Sequence, residues 1–339
     1  MEVTTVGVDL AKTIFRVHGI TAEGDVAFNR SLRRGQVLAF FQKLAPCLVG
    51  MEACATGHYW ARELTRLGHE VRLIPPTYVK PYVKRGKSDA ADAEAICEAV
   101  GRPTMRFVAI KSEEQQALLS LHRARHLVVR QRTQTANALR GLLAEFGHVI
   151  ARNINRACRL AKDILRGEGP DLPDIARVAI GGLCQLLLDL DDKARQFARQ
   201  IDMAARSDDR IRLLQSIPGV GPITASAIVA TVGDADQFRS GREFAAWLGL
   251  TPLNRSTGGK ERLGSISKMG DPYLRQLLVT GMTARLRDVR ARPERLDPWV
   301  ASLLERKPVR LVTVAMANKT ARIVWAVLTR NEVYEPAAA

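Results

Sequence analysis

The apolar positions in the first hundred residues follow two different periods. Three short runs, VTTVGVDL, TIFRVHGI and VAFNRSL, have the β-branched, alternating or densely apolar character of strands, and the turn AEGD separates the second from the third. RGQVLAFFQKLA then shifts to a helical spacing, CLVGMEA returns to a buried strand, and residues 58–67 read as a helix. The strand EVRLI, the breaker Pro75–Pro76 and a helix from 89 to about 100 complete the segment. The order βββ-α-β-α-β-α predicts a mixed sheet: a meander of three strands, then parallel strands with helices on both faces.

Beyond residue 105 the pattern is almost wholly helical. Residues 113–147 predict one long helix, or two, with Leu118, Leu121, Val128, Leu139 and Leu142 among Arg123, Arg125, Arg130, Arg132 and Arg140. This reads either as a solvated helix or as a coiled-coil stalk that dimerises or lies along phosphates. Helices up to about 206, interrupted at 167–173, would be the stalk's return half. LLQSIPGVGPITASAIVATVG has the form of a helix-hairpin-helix, in which Gly219 and Gly221 let a phosphate approach the backbone and the amides of the next helix. A tight helical turn without a ligand is the plainer alternative. GREFAAWLGL and DPYLRQLLVTGMTARLR are further helices around the loop LTPLNRSTGGKERLGSISKMG, and residues 308–330 form an amphipathic helix. The predicted division is 1–105, an α/β domain; 106–208, a helical stalk; 209–333, an all-α domain; and 334–339, a disordered tail.

Charge narrows the function. The net charge is +16, with excesses of +3 up to residue 105, +5 over 106–208 and +8 beyond. A field that grows toward the C-terminus points to nucleic acid as partner. Aromatics are only 5%, which disfavours a platform that stacks single-stranded bases and favours backbone contacts to duplexes. No apolar run reaches the length of a membrane span and no signal peptide is read, so a cytoplasmic, nucleoid-associated protein without membrane contact is expected. The five cysteines are odd in number and widely spaced, as reduced core thiols are.

Candidate chemistry sits at element ends. Asp9 closes the first strand and Glu52 the fourth, and these two strands are neighbours in an RNase H-like (RuvC-like) sheet. SDAADAEA, residues 88–95, puts Asp89 and Asp92 on one side of a helix turn. The ordinary reading of that turn is a helix start capped by Ser88 with favourable first-turn acids. Four carboxylates at one sheet mouth, however, repel unless cations lie among them. Hard oxygen ligands imply Mg²⁺ or Mn²⁺, two per site, as suits phosphoryl transfer. In the C-terminal loop, Ser256, Thr257 and glycines lie among Arg255, Lys260, Arg262 and Lys268, a composition suited to binding or attacking a phosphate. All six histidines, at 18, 58, 69, 122, 126 and 148, lie outside the C-terminal third. No Ser–His pair is expected there.

GVDLAK, VGMEACATGHYW and KSDAADAEA, followed by SIPGVG and AAWLGLTPLNRSTGGKERLGSISKMGDPYLRQLL, resemble the DEDD insertion-sequence transposases, the IS one-ten family and its eleven-eleven subgroup, over nearly the whole chain and in the same order. The resemblance implies a recombinase that excises and inserts its own element, guided by a structured bridge RNA. It implies that Asp9, Glu52, Asp89 and Asp92 bind metal and that Ser256 attaches to a DNA 5′ phosphate, with Thr257 adjoining it. It also implies a dimer to tetramer in which the acids of one subunit meet the serine loop of another. Rival readings are a Holliday-junction resolvase or related nuclease using water, a non-catalytic DNA-binding protein, and an actin-like sugar kinase suggested by GVDLAKT.

Overall fold

A computed structural model of the chain describes residues 2–83, 89–255, 262–292, 294 and 296–335. The chain divides into two compact units, Met1–Glu113 and Glu114–Ala339.

In the first unit, strands β1 (Thr5–Asp9), β2 (Ile14–Ile20) and β3 (Val26–Arg33) form an antiparallel meander. β4 (Leu48–Glu52) pairs parallel with β1, and β5 (Glu70–Ile74) pairs parallel with β4. The sheet order is β3-β2-β1-β4-β5. Helices α1 (Val37–Phe41) and α2 (Gly57–Arg66) cover one face. There Val6, Val8, Val49 and Met51 alternate inward and pack with Phe15, Phe41, Trp60 and Leu64. The short α3 (Pro76–Val79) and the longer α4 (Asp89–Val100) cover the other face, where Ile74, Val79, Ile96 and Val100 form a second cluster. Each such buried side chain contributes about 1.5–3 kcal/mol. This mixed sheet between helices fits an N-terminal RNase H-like domain.

α1 is shorter than the pattern of RGQVLAFFQKLA predicts, with a 3-10 turn at Arg34–Gln36 and five helical residues. The cause is tertiary. Buried His69 reaches the Phe41 carbonyl with Nε2 (3.1 Å) while its Nδ1 accepts from the Cys47 amide (3.3 Å), which draws the chain out of the helical ladder toward β4. Four cysteines are buried as expected, but Cys54 is exposed in the turn after β4. Residues 106–112 run back along α2. Val108 bridges Leu73 at the sheet edge, Arg62 donates to the Lys111 carbonyl (2.8 Å), and the Lys111 amide donates to His58 Nδ1 (3.3 Å).

The second unit is helical. α5 (Glu113–Ala144) is one continuous helix, followed by α6 (Ile154–Leu165) and α7 (Asp174–Ala205). The far half of α5, α6 and the near half of α7 share a core of Leu139, Leu143, Cys158, Ile180, Cys184 and Leu187. Arg132 of α5 and Arg195 of α7 both hold the buried carboxylate of Asp191, at 2.7 and 2.5 Å. This is a three-helix arm. Next come α8 (Asp209–Gln215), α9 (Pro222–Val232), α10 (Gly241–Trp247), α11 (Pro272–Ala291), α12 (Pro298–Arg306) and α13 (Val309–Arg330). Side-chain oxygens of Asp208, Ser240, Asp271 and Asp297 cap four of these starts, each cap contributing about 1 kcal/mol.

α13 is the one helix among the described residues long and apolar enough to cross a membrane. Its apolar face is spent inside the unit, where Val312, Met316, Ala317, Ala321 and Val324 join the core of α8–α11. Tyr334, assigned by pattern to a disordered tail, packs on the same core and donates its amide to Ser216 Oγ (2.9 Å). The stretch read as a plain loop after α10 contains a two-stranded ribbon, β6 (Pro252–Asn254) and β7 (Leu263–Ile266).

Candidate functional site

β1 and β4 are paired from Thr5–Leu48 through Val8–Met51, and the next residue of each strand is a carboxylate, Asp9 or Glu52. Alternate residues of a strand face the same way, so Asp9 shares a face with Gly7, and Glu52 with Gly50. Those glycines are where α4 meets the sheet. A Cβ on Gly7 would lie 2.1 Å from the Ala93 carbonyl oxygen and 2.5 Å from the Cys97 amide nitrogen; one on Gly50 would lie 2.7 Å from Val100 Cβ. The sequence Gly-x-acid thus does two things in each strand. The glycine admits the helix backbone, and one pleat further the acid stands on the face that α4 covers.

Ala93 rests on Gly7, so the neighbouring Asp92 lies at the same end of the sheet. The electrostatics follow. The Glu52 carboxyl is pushed above its ordinary value first by burial, then by the negative charges of Asp9 and Asp92. Lys80, in the 3-10 turn Lys80–Tyr82, opposes the shift. Asp9, Glu52 and Asp92 are each half-buried. Asp89 is the first residue of α4, and its side chain lies outside the described residues, as does Ser88. Among the described residues no three His, Cys, Asp or Glu side chains are gathered closely enough to hold an ion as they stand. By donor chemistry the group fits a divalent cation: hard carboxylate oxygens whose mutual repulsion is already visible at Glu52.

Lys80 is the member of this neighbourhood that sequence reasoning missed. It lies in the Pro-rich breaker segment, and only the return of the chain from β5 brings it to Glu52.

In the second unit, Ser256, Thr257 and Lys260 lie outside the described residues. Their flanks are described. The Arg255 amide donates to the Arg262 carbonyl (2.8 Å), so both exposed arginines sit where the ribbon's two strands meet this segment. Exposed Lys268 has a left-handed backbone (φ 54°) and ties the ribbon back through its amide to the Gly249 carbonyl (3.1 Å). Arg123 and Arg130 are exposed and two turns apart on α5.

The two glycines of the α8–α9 turn differ. Gly219 has φ 89° and is pressed on α11: its oxygen lies 2.1 Å from a would-be Cβ on Gly281. Packing accounts for it. Gly221 caps α9, is exposed, and faces open space where a Cβ would stand.

Histidine does enter this unit, through α5. His122 is buried between Ser226 Oγ on its Nε2 side (3.1 Å) and the Tyr273 hydroxyl on its Nδ1 side (3.1 Å). Ser226 donates its own proton to the Pro222 carbonyl (2.6 Å), so Nε2 must be the donor and Nδ1 accepts from Tyr273. Burial, and then Arg125, lower the imidazole to about 4. It is a neutral structural link between α5, α9 and the first turn of α11.

Comparison with known proteins adds identity to this geometry. Residues 6–148 match the DEDD transposase family model of the IS110 type, and residues 211–296 match the family described as transposase IS116/IS110/IS902. A protein of Pseudomonas aeruginosa described as a probable family 20 transposase is 50% identical over 338 residues, covering 99% of this chain and 100% of that protein. The transposase for insertion sequence element IS1328 of Yersinia enterocolitica is 39% identical (98% of this chain, 99% of that one). The transposase for IS1111A of Coxiella burnetii is 38% identical (98% and 92%).

Proposed function

The chain belongs to the IS116/IS110/IS902 family of transposases, and from that premise we propose that it cleaves and rejoins DNA through a serine-linked intermediate, directed by a structured guide RNA. The observation that carries the reading is the placement of Asp9 and Glu52 at the ends of two paired strands, on the face that α4 covers with Asp92 beside Ala93. Asp9, Glu52, Asp92 and Asp89 would hold Mg²⁺ or Mn²⁺. When bound, two such ions supply charge neutralisation at the phosphate and activation of a hydroxyl.

The chain's own residues do the rest. Ser256 is the proposed nucleophile, with Thr257 as its substitute. A Ser256 Oγ–phosphorus bond forms, the bond from phosphorus to O3′ breaks, and the proton lost from the serine is balanced by the one gained on the leaving 3′ oxygen. Rejoining is the reverse, with a different 3′ hydroxyl as attacker, so the phosphodiester is conserved without ATP. Arg255, Lys260, Arg262 and Lys268 offset the phosphate's charge. Gly221, Arg123 and Arg130 are proposed backbone contacts; Gly219 was read as another, and its packing offers it less access. A duplex-binding surface with few aromatics supports a folded RNA partner beside duplex DNA. An N-terminal acidic domain, a helical arm and a serine-bearing domain suit a dimer to tetramer with shared sites.

The test is complementation. Ser256→Ala and Asp9→Asn proteins, each inactive alone, should recombine DNA when mixed, and Asp92→Asn should fold but not cleave. A covalent protein–DNA adduct formed by Ser256→Ala would overturn the nucleophile. Hydrolysis without any adduct in the wild type would favour the resolvase chemistry instead. Full activity after RNase treatment of RNA-free protein would remove the guide.

A further inference from the structure

The second unit contains a cleft of about 470 Å³ between the last turns of α11 and the start of α13. Its walls carry Arg287 and Arg290 from α11 and Arg310 from α13, with Thr283 and Thr313 at its floor. Among the described residues none of these three arginines is paired with a carboxylate, and the nearby Asp288 is engaged by Arg292 (3.6 Å). Three guanidinium groups facing one cleft repel one another.

The placement of Arg310 sharpens the point. It stands in the first turn of a helix of 22 residues that has no acidic first-turn residue and no side-chain cap. A cation is disfavoured there by the helix dipole, whereas an anion is favoured. Arg310 also lines a second groove that runs along α13 to Ser265 and Ile266 of β7. Arg310 therefore stands between the cleft and a groove that reaches the ribbon flanking Ser256 in sequence. Arg287 and Arg290 lie 15 and 18 residues after the start of α11, roughly 22 and 27 Å along its axis.

From this arrangement we infer that the α11–α13 cleft is a binding site for the phosphodiester backbone of duplex DNA. The inference rests on the transposase reading only for the identity of the polyanion. The two threonine hydroxyls beside the arginines donate their protons to their own helices, Thr283 to the Val279 carbonyl (2.7 Å) and Thr313 to the Val309 carbonyl (2.9 Å), so the arginines are left as the phosphate donors of the cleft. Recognition is by charge, indifferent to base sequence.

Binding of the full chain to a fluorescein-labelled DNA duplex of about 20 base pairs, followed by anisotropy in EDTA across a salt series, tests this. Each phosphate contact adds about 0.9 to the slope of log K against log salt, so Arg287→Gln/Arg290→Gln/Arg310→Gln should lower the slope by about 2.7. The loss of affinity between about 50 and about 200 mM salt should then be about 40-fold smaller than for the wild type. The corresponding triple lysine variant should keep the slope. The single Arg290→Gln, at an exposed position, should lower it by about 0.9. An equal charge loss elsewhere in the unit, Arg156→Gln/Arg159→Gln on the exposed side of α6 together with Arg152→Gln just before it, should leave it unchanged. An unchanged slope in the cleft variants overturns the site, as does an equal drop in the α6 control, or a larger drop with an RNA duplex of the same length. Because binding in EDTA requires no cleavage, this result and the complementation result can fail separately.

Discussion

Replacing Gly7 by alanine probes the contact that sets α4 on the sheet. The new Cβ would meet backbone, 2.1 Å from the Ala93 oxygen and 2.5 Å from the Cys97 nitrogen. Backbone cannot rotate away, so the helix must move by about 1 Å. Overpacking of this kind costs up to about 3 kcal/mol. Alanine returns about 0.5–1 kcal/mol by restricting the unfolded chain. The net is about 2 kcal/mol, or amide exchange about 30-fold faster where β1 and α4 open together. Gly50→Ala is the milder contrast, because the nearest atoms its Cβ would meet belong to the Val100 side chain at the helix end, at 2.7 to 3.1 Å, and not to backbone. Exchange there should rise by less than in Gly7→Ala. Hydrogen exchange read by mass spectrometry on peptides covering 4–9, 48–52 and 89–100 of the intact chain measures both. A 1 Å displacement of Asp92 should also lower DNA cleavage about 100-fold in Gly7→Ala. Equal exchange rates in the two variants, or normal cleavage by Gly7→Ala, would refute the argument that glycine contact positions the acids.

Other outcomes follow from charge. Glu52's raised carboxyl favours folding below its ordinary value of 4.5, and that contribution is lost as pH rises through its higher folded value. Glu52→Gln should therefore stabilise the first unit at neutral pH, with the gain vanishing on acidification past 4.5, as seen in exchange rates across pH. Lys80→Gln should shift the acidic limb of the cleavage profile upward, since Lys80 holds Glu52 down. His122 acts oppositely: its lowered value, about 4, contributes stability above 6.5 that fades as pH falls toward 4, roughly 3 kcal/mol in all. His122→Gln should flatten that part of the second unit's pH–stability curve. Asp191→Ala should cost the arm about 2–4 kcal/mol by stranding Arg132, half-buried, while the double variant with Arg132→Met should recover part of it, as denaturation by urea would report.

The order of the sheet was readable because its strands are short, separated by clear turns, and patterned by burial on both faces. Gly7, Asp9, Gly50 and Glu52 sit in such strands, so the position of the acids at strand ends was legible before their surroundings were. The helix opening at Asp271 was equally plain as a helix, and the same Asp–Pro pair at 297–298 starts α12, which the pattern alone left unassigned. The ribbon was hidden because PLN and LGSI are too short and too exposed to show alternation. Lys80's approach to Glu52, and the reach of His122 to residues 104 and 151 positions away, depend on tertiary return of the chain. Gly219 looked like a ligand-facing turn glycine because nothing in its neighbours announces Gly281.

The far part of α5, α6 and the near part of α7 form an arm within the second unit, in sequence between His122 on α5 and the helices that follow α7. Its own core is local, and the helices it connects are fixed at the base by His122, Ser226 and Tyr273. The arm's length is thus a free variable of the architecture. The exposed turn at Gly167, with φ 79°, joins α6 to α7, between Ile164 and the buried Leu172 of the arm's core. Doubling a loop costs only about 0.6 kcal/mol of closure entropy. That makes the exposed residues 166–168 the place to splice in a fluorescent or affinity module while the base of the unit keeps its register.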